Sequence, residues 1–246
     1  MTAFTPVRDS GMAPERHVPA IPGPLTTEGR RPTGMVSDFT LWQVADSAFP
    51  TGGFAHSGGL EAAHQHGEVR NREELRAWLA ASLDQWTYSV LPLVGAGHRE
   101  PGRLEDWDRM NEAFTSNHVA NRASRLQGRA WLAVVTRVFN LSLGEPPFIH
   151  FAPVFGASLR LLGRTLADTG RLFLFLNLRG VVAAAVRLNL VGPLEAQRMQ
   201  YEFADRAEAA ALCGVCLGLD ELAQTSPLLD LWQGAQDRLY SRLFQT

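Results

Sequence analysis

The sequence predicts an all-α fold: a single globular helical domain of about eight to ten helices over residues 37–246, preceded by a disordered Pro/Gly-rich tail over 1–36. Three observations carry this. Apolar residues recur at i, i+3, i+4 and i+7 in several long runs. No segment shows sustained period-two alternation bounded by hairpin turns. Breaks such as Gly144-Glu-Pro-Pro147, Gly192-Pro193 and Ser226-Pro227 punctuate the chain where helices should stop or restart.

The tail is rich in Pro, Gly and Thr and cannot bury enough apolar surface to offset its ordering entropy. It carries Asp9, Glu15 and Glu28 and has no apolar core segment, so it reads as neither a secretory signal nor a transit peptide. Order should begin near Ser37. A short apolar helix with Leu41, Trp42, Val44 and Ala45 stops at Pro50, turns through Gly52 and Gly53, and restarts. Phe49 and Phe54 flank the glycines and should anchor the turn in a core. Ser57 is the expected N-cap of the restart, and Glu61 sits in its first turn, where a carboxylate is favoured by the helix dipole.

Asn71 with Glu74 three residues on is an N-cap signal. Leu75, Leu79, Leu83, Trp86 and Val90 then form one helical face, with Pro92 and the Gly95–Gly97 stretch ending or kinking it. A polar helix follows from Leu104 to about Ser116, with Glu105, Asp106 and Asp108 on a solvated surface. The next begins near Asn121, burying Leu126, Ala130, Val134 and Val138 and carrying Arg122, Arg125 and Arg129 on another side. That arginine stripe reads as a solvated face, or as a docking surface for an acidic partner. From His150 one run continues through Val154, Phe155, Leu159, Leu162 and Leu166. The stretch from Leu172 to Leu190 is apolar nearly all round, hence the core helix, and reads as too short and polar to span a membrane. Beyond Gly192-Pro193, Ala204, Ala211, Val215, Leu219 and Leu222 make a buried face. A last helix should run from Leu228 to the end, placing Leu239, Tyr240, Leu243 and Phe244 at helical spacing.

Composition excludes several functions. The net charge of −2 gives no nucleic-acid footprint, and all 23 basic residues are arginine. Without lysine there is no Walker-A lysine, no Schiff base and no lysine general base. The two cysteines, Cys213 and Cys216, exclude a disulfide framework and fit a reducing compartment. Their C-x-x-C spacing is found in redox and zinc pairs, but a structural zinc needs two more ligands. Two small inert core residues is the plainer reading, and a helical redox or metal-binding enzyme using this pair is the alternative. His56, His64 and His66 near Glu61 could meet a metal only if the chain bends there; exposed histidines after a helix account for them more simply. No Gly-x-Ser-x-Gly elbow is present, so no catalytic residue is named.

The stretch from Ser47 to Glu61, Ser-x-x-Pro-x-Gly-x-Phe-x-x-Ser-x-Gly-Leu-Glu, resembles the N-terminal signature of the urease accessory protein UreF family. Further blocks resemble the family in the same order: Ala123-Ser124 with Gly128; His150-Phe-Ala-Pro-Val-Phe-Gly156; Ala184-Ala-Val-Arg-Leu-Asn-Leu-Val-Gly-Pro193; and Pro227-Leu-Leu-Asp-Leu-Trp-Gln-Gly234 followed by Leu239-Tyr-Ser-Arg-Leu-Phe244. The third and fourth are similar to the eukaryotic branch. The chain departs from many members in having Gln236-Asp237 in place of His-Glu, and from bacterial members in having Gly192-Pro193 in place of Gly-Gln. The resemblance implies a cytoplasmic, non-enzymatic helical scaffold that dimerises and binds UreD (also called UreH). Together they would recruit and regulate the GTPase UreG and deliver nickel to apo-urease. It implies no stably bound cofactor, no nucleic acid and no membrane. The expected partner-binding residues are Tyr240, Arg242, Leu243, Phe244, Arg187, Ser57 and Glu61. Arg187, a charge in the apolar core helix, should be paired, hydrogen-bonded or at an interface.

Overall fold

The computed structural model describes residues 37–246; the expected disorder of the tail lies outside the described residues. The regular elements among the described residues are all helices, with no strand among them. The helices are α1 (Phe39–Ala45), α2 (Leu60–Gln65), α3 (Arg72–Ser89), α4 (Leu91–Arg99), α5 (Leu104–Phe114), α6 (His118–Phe139), α7 (Phe151–Leu161), α8 (Leu166–Arg187), α9 (Pro193–Glu202), α10 (Ala204–Gly214) and α11 (Pro227–Ala235).

Helix α8 organises the core. Leu172, Phe173 and Leu174 in its first half join one apolar cluster with Leu93, Val94, Trp131 and Phe155. Leu178, Val181, Val182 and Ala185 in its second half join another with Leu60, Leu75, Leu79 and Met199. By length and composition alone, α8 is sufficient to cross a membrane, contrary to the sequence expectation, and 56% of its apolar window is buried inside the fold. It begins separately from α7 because the chain turns at Gly163, where φ is +74°, and the Thr165 hydroxyl accepts the Asp168 amide at 3.0 Å as an N-cap. The run expected from His150 through Leu166 is therefore two helices.

Pro92 marks the end of α3 as expected: α3 stops at Ser89, and the proline takes a tolerated place in the first turn of α4, whereas Gly95 and Gly97 end nothing and lie inside α4. The glycines permit backbone contact. A methyl group built on Gly97 would fall 2.3 Å from the Pro153 carbonyl oxygen, and one on Gly156 of α7 would fall 2.0 Å from that of Val94. Gly128 of α6 meets the Ile149 carbonyl in the same way, at 1.9 Å.

Helix α6 buries a different face from the one expected. Val119, Ala123, Gly128, Trp131 and Val135 point inward, whereas Leu126 and Val138 are 40% and 52% exposed. The large Trp131 ring, packed against Phe49, Phe151 and Phe155, rotates the helix onto its own side. Asp108 of α5 is fully buried rather than solvated, and its carboxylate accepts the amides of Phe148, Ile149 and His150 at 2.7, 3.1 and 2.7 Å. Those bonds hold the turn that launches α7. Leu104, Asp108 and Asn111 share a face at i, i+4, i+7, which was the available signal.

Candidate partner-binding site

The candidate site is a seam between the Ser47–Glu61 signature and the end of the chain. Gly59 takes φ +88°, a conformation that favours glycine, and occupies the N-cap of α2. Ser57 is therefore not the N-cap. Its hydroxyl still accepts the Glu61 amide, at 3.4 Å, and its own amide donates to the Thr246 carbonyl at 2.7 Å. A Cβ on Gly59 would lie 2.8 Å from the Gln233 amide nitrogen, so α11 passes directly over this turn.

The segment from Leu239 to Thr246 is not the helix its spacing predicted. Helix α11 ends at Ala235, one 3-10 turn covers Gln236–Arg238, and the rest runs as a non-helical strap. The reason is Glu61. Its carboxylate, 1% exposed, accepts the Leu243 amide at 2.6 Å, the Phe244 amide at 3.1 Å and the Gln236 side-chain amide at 2.6 Å. A buried carboxylate needs such donors, and the strap supplies backbone N–H groups that a helix would have kept for itself. The Gln245 amide adds a bond to the Ala55 carbonyl at 2.9 Å, and the His56 ring bonds the Thr246 hydroxyl.

Arg187, in the last turn of α8, stitches both sides. Its guanidinium lies 4.1 Å from the Phe244 ring centroid and 4.4 Å from that of Phe54, and donates to the Phe54 carbonyl at 2.8 Å. Such cation–π contacts contribute roughly 0.5–2 kcal/mol each, depending on exposure. The sequence expectation that Arg187 is hydrogen-bonded holds. Phe54 does not anchor the turn in a core as expected: it is 70% exposed and covers Arg187, while Phe49 alone goes inside.

The seven expected binding residues thus meet at one seam but divide by exposure. Ser57, Glu61 and Phe244 are buried within it, Arg187 is partly covered, and Tyr240, Arg242 and Leu243 face outward. Arg242 pairs with Asp237 at 3.1 Å, which also receives Arg122 at 2.7 Å and His118 at 3.3 Å. The Arg122 hydrogen bond, first among these, holds the Asp237 carboxyl below its ordinary range. Arg122 of the expected arginine stripe is therefore committed to this chain's own acid, and Arg125 lies over Phe148 and 3.8 Å from Glu112. Gln236 and Asp237 were missed as site residues, because a buried glutamine in a polar segment leaves no periodic mark.

Beneath the signature turn lies a cleft of about 420 Å³, lined among others by Thr51, His56, Gln85, Ser124, Asn177 and Arg179. Burial, with Arg122 nearby, lowers the His56 pKa to about 4, so its ring is neutral at pH 7. Among the described residues no group of three or more His, Cys, Asp or Glu could hold a metal ion. The His64 and His66 rings bond the Val69 and Ala62 carbonyls at 2.8 and 2.9 Å, and Glu61 is engaged by the strap. Cys213 and Cys216 are both exposed, which corrects the expectation of inert core residues: Ala211, Gly214 and Val215 take the inward face, and Ala204 is exposed too.

The family model UreF matches residues 69–204 of the chain. Among curated relatives, urease accessory protein F of Oryza sativa subsp. indica is 40% identical over 222 residues, covering 85% of each chain. The protein of the same name from Arabidopsis thaliana is 39% identical over 220 residues, covering 84% of this chain and 91% of its own. Urease accessory protein UreF of Mycobacterium tuberculosis (strain ATCC 25618 / H37Rv) is 31% identical over 214 residues, covering 85% and 99%.

Proposed function

The chain belongs to the UreF family of urease accessory proteins, and from that premise we propose that it is a non-enzymatic scaffold which binds UreD through the outer face of the C-terminal strap. The resulting pair recruits the GTPase UreG and regulates it while nickel, the cargo, passes to apo-urease. The chain works in the cytoplasm as a homodimer, and no cofactor is stably bound to it.

The observation that carries this reading is the arrangement of the strap. One buried carboxylate, Glu61, fixes the backbone of Leu243 and Phe244, so the neighbouring Tyr240, Arg242 and Leu243 are presented outward on a segment that is not free to fray. Aromatic and arginine side chains held rigidly at a surface are what binding hot spots are made of, because little conformational freedom remains to be lost on docking. The test is co-purification of the full chain with UreD and then UreG, followed by activation of apo-urease with nickel. The chain should bring down UreG only when UreD is present. Activation of urease in its absence would overturn the proposal.

A further inference from the structure

The proposed scaffold leaves the two cysteines without a role. Cys213 is the penultimate residue of α10 and Cys216 lies just beyond its end; both are free and exposed. The Cys216 amide donates to the Cys213 carbonyl at 3.0 Å. That i to i+3 bond closes a tight turn, which keeps the two Cα atoms within roughly 7 Å, inside the span a disulfide can bridge. The residues between them are fixed inward. Gly214 packs on Leu91, where a Cβ would meet the leucine at 2.6 Å, and Val215 is 1% exposed. With Gly214 and Val215 held inward, the flanking cysteines stay outside with the turn already set. Arg99 of α4 donates to the carbonyls of Val215 and Leu217, on either side of Cys216.

We propose that Cys213 and Cys216 form a surface dithiol that closes reversibly into an intrachain disulfide by exchange with a small-molecule disulfide of the glutathione type. One cysteine thiolate attacks a sulfur of the small disulfide, giving a mixed disulfide and releasing one small thiolate. The second cysteine thiolate then attacks the protein sulfur of that mixed disulfide and releases the other. Two cysteine thiols are oxidised to one S–S bond, the small disulfide is reduced to two thiols, and the two cysteine protons end on them. Closure pins the end of α10 where it already rests on α4, so the core is undisturbed.

The test uses the full chain incubated with oxidised glutathione, then alkylated and weighed intact. The wild type should lose two hydrogens per chain, carry no glutathione and resist alkylation at both cysteines. Cys213→Ser and Cys216→Ser should each stop at a single glutathione adduct, because the resolving thiol is gone. Both positions are exposed, and circular dichroism of the variants checks that they fold. Stable glutathione adducts on the wild type, disulfide-linked dimers, or thiols that remain fully alkylatable would each overturn the proposal.

Discussion

The contact between α4 and α7 and the seam between the signature turn and the strap hold the molecule by opposite means. At the first, two helix backbones meet across Gly97 and Gly156, and no side chain larger than hydrogen fits at either point. At the second, a charged carboxylate is buried 1% exposed and gathers donors from a segment about 180 residues away in sequence. Close packing leaves nowhere to yield, whereas a hydrogen-bonded seam can open while the helices stay folded. Damage to the two regions should therefore look different.

The largest effect is expected at the packed contact. Gly156→Ala would press a methyl to 2.0 Å from the Val94 carbonyl oxygen, a backbone atom that cannot move aside alone. We expect a loss of more than about 4 kcal/mol, read as insoluble expression or a collapsed urea midpoint. A loss below about 1 kcal/mol would show that the helices can part, and would erase the distinction between the regions.

Glu61→Ala comes next. It leaves the Leu243 and Phe244 amides and the Gln236 side chain without their acceptor, at a cost of about 2–4 kcal/mol. Helicity should survive while the strap is released. Trypsin cleavage after Arg238 and Arg242 should then be faster than in the wild type. Unchanged cleavage would mean that the strap is held by something other than this carboxylate.

The same contrast explains what could be read from the sequence. The N-cap at Asn71, the α3 face and the apolar α8 were legible because each is declared by residues within a few turns of one another. The strap was misread as a helix, since Leu239, Tyr240, Leu243 and Phe244 do have helical spacing; what overrides it is Glu61, distant in sequence and invisible to any local window. The face of α6 was misplaced for a related reason. Leu126, Ala130, Val134 and Val138 form a regular stripe, but Trp131 finds the aromatic pocket of Phe49, Phe151 and Phe155, and its burial outweighs theirs. The seven expected site residues do converge on one seam, through the family signature rather than through periodicity.

Acid should loosen the seam. His56 is partly buried beside the strap, with its pKa lowered from 6.5 to about 4, so the folded state resists a proton that the unfolded chain accepts. A lowered histidine pKa means that its contribution is fully present above pH 6.5 and is lost progressively as the pH falls toward 4. The loss reaches about 3 kcal/mol at most. Comparing unfolding free energies at neutral and acid pH for the wild type and His56→Gln isolates it from His98 and His150, which burial lowers in the same direction. The variant should show the shallower decline, and equal slopes would remove His56 from the account.

The smallest stability effect should accompany a large functional one, at Tyr240. Its side chain is fully exposed, so Tyr240→Ala removes almost no buried surface, and stability should stay within about 0.5 kcal/mol of the wild type. The proposed scaffold nevertheless places it at the centre of the surface that meets UreD. If it is a hot spot there, its removal should weaken UreD binding by about tenfold or more, since truncating a central aromatic typically costs over 1 kcal/mol of binding free energy. The variant separates two explanations that Glu61→Ala confounds, because that substitution loses binding whether the strap is a docking surface or only a structural brace. Titration of UreD against Tyr240→Ala, with unfolding measured on the same preparation, decides between them. Weak binding with intact stability assigns the outer face of the strap to the partner. Wild-type binding would leave the seam a purely internal device and send the search for the UreD surface elsewhere on the molecule.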